Sequence, residues 1–95
     1  MKRQISNFLQ QIPFRYDGIT AVIIFGSFTF SDVYRDVDII LVFRNAADVK
    51  ITRNIAREFK KIFLKDLHIQ LFLNYEYVIL KSFLTRARSW ECIYE

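Results

Sequence analysis

Residues 25–43 read FGSFTFSDVYRDVDIILVF, and this stretch holds one of the two glycines in the chain. Gly26 and Ser27 stop the apolar run ITAVIIF; ten residues on, Asp36 and Asp38 open a second apolar run, VDIILVF. Both runs are rich in β-branched residues and read as strands, Ile19 to Phe25 and Val37 to Phe43. In a strand, residues two apart project from one face, with Cβ atoms roughly 7 Å apart. Two carboxylates so placed repel each other and resist desolvation. A divalent cation removes that conflict, and Mg²⁺ in particular sits on one or two carboxylates together with substrate phosphates. A glycine at a strand end lets backbone approach a ligand closely. If a helical turn begins at Ser27, its unpaired amides and its hydroxyl form a cradle for phosphate.

The flanking sequence supplies the rest of a layered fold. Ile5, Phe8, Leu9 and Ile12 fall at helical spacing, which predicts a helix over residues 3–12, ended by Pro13. Asp17-Gly18 is turn chemistry. Residues 27–34 lack a period and read as a short helical turn and a loop. Val49, Ile55, Ala56, Phe59, Ile62 and Phe63 predict a long amphipathic helix over residues 46–64, with Asp48 favouring its N-terminal dipole. From Asp66 to Leu73 the pattern alternates: Leu67, Ile69, Leu71 and Leu73 face one way, and Asp66, His68, Gln70 and Phe72 the other. Asn74 is the expected cap of a last helix running to about Arg88, with Glu76 in its first turn and Val78, Leu80, Phe83, Leu84 and Ala87 on its apolar side. Trp90 to Tyr94 completes the chain as a short strand. The expectation is one domain over residues 1–95, an α+β fold with a small mixed sheet of three to four strands and helices packed against it.

Ninety-five residues leave no room for two cores, and 53% hydrophobic with 17% aromatic is a high apolar load for so small a body. Some of that area is expected to need a homodimer or a partner protein. A net charge of +4 suits anionic ligands such as nucleotide phosphates without implying nucleic acid, because the charge is spread along the chain. Arg53, Arg57, Lys60 and Lys61 read as the solvated face of the long helix, and an RNA-binding face is the less favoured alternative. The lone Cys92 excludes an internal disulfide. No run approaches the roughly 20 apolar residues of a membrane span, and the expected location is cytoplasmic.

The pairing of AVIIFGS with DVDIILVF resembles the nucleotidyltransferase superfamily of DNA polymerase beta, in particular its minimal nucleotidyltransferases. DLHIQLFL followed by NYEYVILKSF resembles the way those domains close, so the likeness covers most of the chain. The resemblance implies that Gly26 and Ser27 hold the triphosphate of ATP or another NTP. It implies that Asp36 and Asp38 bind Mg²⁺ or another divalent cation, and that a nucleotidyl group passes to a hydroxyl acceptor by in-line attack on the α-phosphorus. It also implies, as an alternative, a catalytically degenerate module that binds a helical ribonuclease toxin of the HEPN type as its antitoxin.

This chain departs from the family pattern at three places. Phe30-Ser31 stands where Arg-Gly is usual, and Arg35 where Ser is usual before the first acid. The family's third carboxylate, on the third strand, falls on His68 or Gln70. His68 has two readings: a neutral imidazole ligand or base, acceptable to metals softer than Mg²⁺, or a polar residue on the open face of a half-covered strand. Asp66, on the same face two residues earlier, is an acid that could substitute for the third carboxylate only at a distance.

Overall fold

The computed structural model describes residues 1–87 and 89–95. Its elements run α1 (Lys2–Arg15), β1 (Ile19–Phe25), a 3₁₀ turn (Ser27–Thr29), β2 (Val37–Phe43), α2 (Val49–Phe63), β3 (Leu67–Leu73), a second 3₁₀ turn (Asn74–Glu76), α3 (Tyr77–Arg86) and β4 (Trp90–Tyr94). The strands form one sheet in the order β3-β2-β1-β4. β1 runs antiparallel to both β2 and β4, whereas β2 and β3 are parallel. A parallel pair needs a long crossover, and α2 supplies it. The sheet is therefore mixed, and the expected α+β architecture is present.

Strand alternation sends two sets of side chains to two faces. Val22, Ile24, Val37, Ile39, Leu41 and Phe43 meet Ile5, Leu9 and Ile12 of α1 and Ile55 and Phe59 of α2 in the main core. Ile23, Ile40, Val42 and Phe72 meet Leu80 of α3 on the opposite face, with Phe25, Phe83 and Leu84 partly buried beside them. Two helices thus cover one face, while α3 covers only part of the other. The uncovered part carries the polar residues of β2 and β3.

All three helices differ from expectation at a boundary, and α2 begins at Val49 rather than at residue 46. Pro13 lies inside α1 rather than ending it. It costs the helix one internal hydrogen bond, yet the last turn continues to Arg15 because both of its side chains are anchored. Phe14 meets Tyr94 edge-on at 5.7 Å, and Arg15 makes a two-pronged pair with Glu58 of α2 at 2.7 and 2.8 Å. The last helix begins later than expected, at Tyr77 after the 3₁₀ turn, and the capping bond comes from Glu76, whose carboxylate accepts the Leu73 amide at 2.8 Å. It ends at Arg86; the expected end at Arg88 lies outside the described residues. Val78 is exposed, so the buried side of α3 is Leu80 with Phe83 and Leu84. Asp48 does cap α2, accepting the amides of Lys50 and Ile51. No helix among the described residues is long and apolar enough to cross a membrane.

The Arg15–Glu58 pair holds Glu58 below the usual carboxylate range, chiefly through the guanidinium hydrogen bond. A group whose folded pKa is depressed stabilises above its unfolded value and loses that contribution as pH falls through the folded value. Both side chains are more than a third exposed, so Glu58→Gln is expected to cost only about 0.2–1 kcal/mol at neutral pH. Chemical denaturation of both proteins at pH 7 and pH 3 checks this: the difference should vanish at the acid end.

Candidate functional site

The end of β1 and the start of β2 lie side by side, because the antiparallel register pairs Phe25 with Asp38. Gly26 follows with φ 82 and ψ −161, a backbone region that is essentially closed to other residues. A Cβ built on Gly26 would come within 2.9 Å of Asp38 Oδ2. The glycine is therefore required twice, by its dihedrals and by the carboxylate pressed against it. Its amide donates to Ser89 O at 3.0 Å, tying the corner to the approach of β4.

Ser27 opens a single 3₁₀ turn instead of a helix. The turn's own bonds use the amides of Thr29, Phe30 and Ser31, and Thr29 Oγ1 donates to Gly26 O at 2.7 Å. The first amides of any helical turn have no partner within it; here they belong to Ser27 and Phe28. The segment after the turn is held down by contacts that carry no sequence period. Phe28 is buried and meets Tyr34 edge-on at 4.8 Å. Lys2 Nζ donates to Phe28 O at 2.7 Å and lies 5.1 Å from the Phe28 ring, and Lys65 Nζ lies 4.8 Å from the Tyr34 ring. Burial, with some help from Asp32, pushes the Tyr34 hydroxyl above its ordinary pKa. These anchors were missed at the level of sequence; the aromatic residues Phe28, Phe30 and Tyr34 in a segment without a period were the available signal.

The parallel register places His68, and not Gln70, beside Asp38; Gln70 pairs with Ile40. His68 Nδ1 lies 3.3 Å from Asp38 Oδ1. Asp36, Asp66 and His68 offer one donor atom each, all within 4.8 Å of one another. Four groups thus gather at the edge of the open face: Asp36 and Asp38 from β2 and its approach, and Asp66 and His68 from β3 and its approach. Asp66 also pairs with Lys60 of α2 at 2.9 Å, and that ammonium, first by hydrogen bond and then by charge, holds the Asp66 carboxyl below its ordinary pKa. The sequence places Lys60 on a solvated or, less favoured, RNA-binding face and gives no sign of this pairing with Asp66. The residue set fits a divalent ion: hard carboxylate oxygens beside an imidazole, at a corner whose glycine leaves no side chain in the way.

A cavity of about 530 Å³ lies elsewhere on this side of the sheet, between α3, β1 and β4, lined by Ala21, Ile23, Val42, Leu80, Leu84 and Trp90 among others. None of the four polar groups reaches it. The acidic corner is open surface, suited to a ligand that brings its own charge and bulk.

No protein-family model and no curated protein matches the chain. Solved structures do match. A chain of the complex of tri-AMPylated HEPN toxin with MNT antitoxin from Shewanella oneidensis superposes with a TM-score of 0.65 at 15% identity, covering 99% of this chain and 72% of that one. A Sulfolobus solfataricus protein provisionally assigned as a nucleotidyltransferase gives 0.56 at 17%, covering 97% and 78%. A mutant MntA–HpeT toxin–antitoxin complex gives 0.60 at 12%, covering 99% and 72%. At such identities the likeness establishes the fold alone: the chain has the α+β nucleotidyltransferase fold of the MNT proteins.

Proposed function

We propose that the chain binds ATP or another NTP at the Gly26–Asp38 corner and transfers a nucleotidyl group to a hydroxyl, with a partner protein as the favoured acceptor. The single observation that carries this reading is the close approach of the Gly26 backbone to Asp38, with Asp36 and His68 gathered at the same carboxylate end. Gly26 and Ser27 hold the triphosphate, and Asp36 and Asp38 hold Mg²⁺ or another divalent ion. Such an ion supplies positive charge to the phosphate oxygens. The acceptor oxygen forms a bond to the α-phosphorus as the bond to the pyrophosphate oxygen breaks in line. Its proton passes to a group at the corner, with His68 in the place of a third carboxylate as base or ligand. The toxin in one of the similar structures carries AMP groups, which supports ATP as donor and a protein as acceptor.

A second reading, a binding module for a HEPN-type helical partner without turnover, is favoured by a separate feature. Tyr75 in the second 3₁₀ turn and Tyr77, Val78 and Ile79 at the start of α3 are all more than half exposed, an apolar cluster suited to a protein partner.

The test is binding of labelled ATP with and without divalent ion, in wild type and Asp36→Asn/Asp38→Asn. Disturbing even an outer partner of a metal site costs about 10–100-fold in affinity, so the double variant is expected to lose metal-dependent nucleotide binding by at least that factor while its circular dichroism is unchanged. Equal binding by both proteins would remove the nucleotide reading. Label transfer to a co-purified partner then separates enzyme from binding module.

A further inference from the structure

We infer that His68 is a nitrogen ligand to a divalent ion at this corner, together with Asp36 and Asp66 and beside the nucleotide-borne ion, and that this set consequently selects a first-row transition ion such as Co²⁺ over Mg²⁺. The inference deepens, and rests on, the reading of the corner as a nucleotide–metal site. It starts from the donor set. Two carboxylates and one imidazole lie with one donor atom each inside 4.8 Å of the others. Metal–ligand bonds of about 2.0–2.3 Å hold neighbouring donors roughly 3–4.5 Å apart. Small side-chain rotations close the set, and they are open to these residues: Asp66 and His68 are exposed and Asp36 is half-buried.

The chemistry of the set decides the ion. Mg²⁺ takes oxygen ligands in a near-ideal octahedron and gives up water reluctantly. Imidazole suits Co²⁺, Ni²⁺, Cu²⁺ and Zn²⁺, whose affinity for a mixed nitrogen and oxygen site rises along that series as far as copper. A carboxylate at position 68 would make the site all-oxygen; the imidazole shifts it toward softer ions. Lys60, on one oxygen of Asp66, leaves the second oxygen available and weakens rather than blocks the site. Asp38, beside the same ring at 3.3 Å, orients the imidazole and remains available to a nucleotide-borne ion.

The experiment is isothermal titration of Co²⁺ and of Mg²⁺, without nucleotide, into a Cys92→Ser background and into the same background carrying His68→Asp. The Cys92 change removes an exposed thiol that would compete for Co²⁺. The background protein is expected to prefer Co²⁺, and His68→Asp to lower the ratio of Co²⁺ to Mg²⁺ affinity by roughly 10–100-fold. The visible absorption of bound Co²⁺ should change with the lost nitrogen. An unchanged ratio with an unchanged spectrum overturns the inference. Metal-dependent ATP binding, measured separately with Asp36→Asn/Asp38→Asn, tells the two failures apart. If that binding needs the aspartates while the ratio ignores His68, the ligand assignment falls and the nucleotide reading stands. If the ratio follows His68 but ATP does not bind, the nucleotide reading falls and the metal site remains.

Discussion

Gly26→Ala is expected to abolish metal-dependent nucleotide binding while leaving a folded protein. The substitution meets two separate penalties. The first is backbone strain: at φ 82 and ψ −161 an alanine costs on the order of 1–3 kcal/mol. The second is the contact of 2.9 Å between the new methyl group and Asp38 Oδ2. That oxygen is the far end of a side chain, so the fold relieves the clash cheaply by turning the carboxylate away. Relief for the fold is damage to the site, because the displaced group is one of the two carboxylates proposed to hold the nucleotide-borne ion. Gly18→Ala separates the two penalties. Gly18 also has a positive φ, 88, but nothing lies within 4 Å of its would-be Cβ. It should show a comparable loss of stability with nucleotide affinity intact. Chemical denaturation and ATP titration on the same three proteins check both halves. Full nucleotide affinity in Gly26→Ala would show that the close approach has no functional use.

Phe59→Ala is expected to give the largest loss of stability, about 3–5 kcal/mol. Phe59 is fully buried on α2, with its ring 5.6 Å from that of Phe8 on α1 and 4.8 Å from that of Phe63. It joins the two helices that cover one face of the sheet, so nothing nearby collapses easily into the void. Against a typical domain stability of about 5–15 kcal/mol, such a loss brings the protein near its unfolding threshold at ordinary temperature. Phe14→Ala is the contrast. Phe14 is 74% exposed with one edge-on contact to Tyr94, and about 1 kcal/mol or less is expected. Denaturant midpoints at constant slope measure both.

Period and turn chemistry were enough to read the strands, because runs such as ITAVIIF and VDIILVF are apolar, β-branched and sharply bounded. Their ends carry the residues of the candidate site, and the structure brings Gly26, Asp36 and Asp38 to one corner as the motif spacing implies. The choice between His68 and Gln70 was not legible. Both project from the same face of β3, and only the parallel register with β2, set by the crossover through α2, puts one of them beside Asp38. Pro13 misled because local propensity stops a helix there, whereas Arg15 and Phe14 carry it on through partners more than forty residues away. The start of α3 misled for a similar reason: Val78 keeps helical spacing but finds no surface of the sheet beneath it. Lys2 and Lys65, which pin the loop after Ser27, leave no pattern in a linear reading, since their partners are 26 and 31 residues distant.

The amide of Gly26 rests on the carbonyl of Ser89, and β1 sits between β2, which follows it closely in sequence, and β4, drawn from residues 90–94. A pairing across so long a sequence separation must close a large loop of disordered chain, and such closures come late in folding. The Gly26–Ser89 tie is therefore expected among the last contacts made, whereas the contact of Gly26 with Asp38 closes over a short loop. A molecule whose β4 has come loose is expected to lose this tie while keeping the register that sets Gly26 against Asp38.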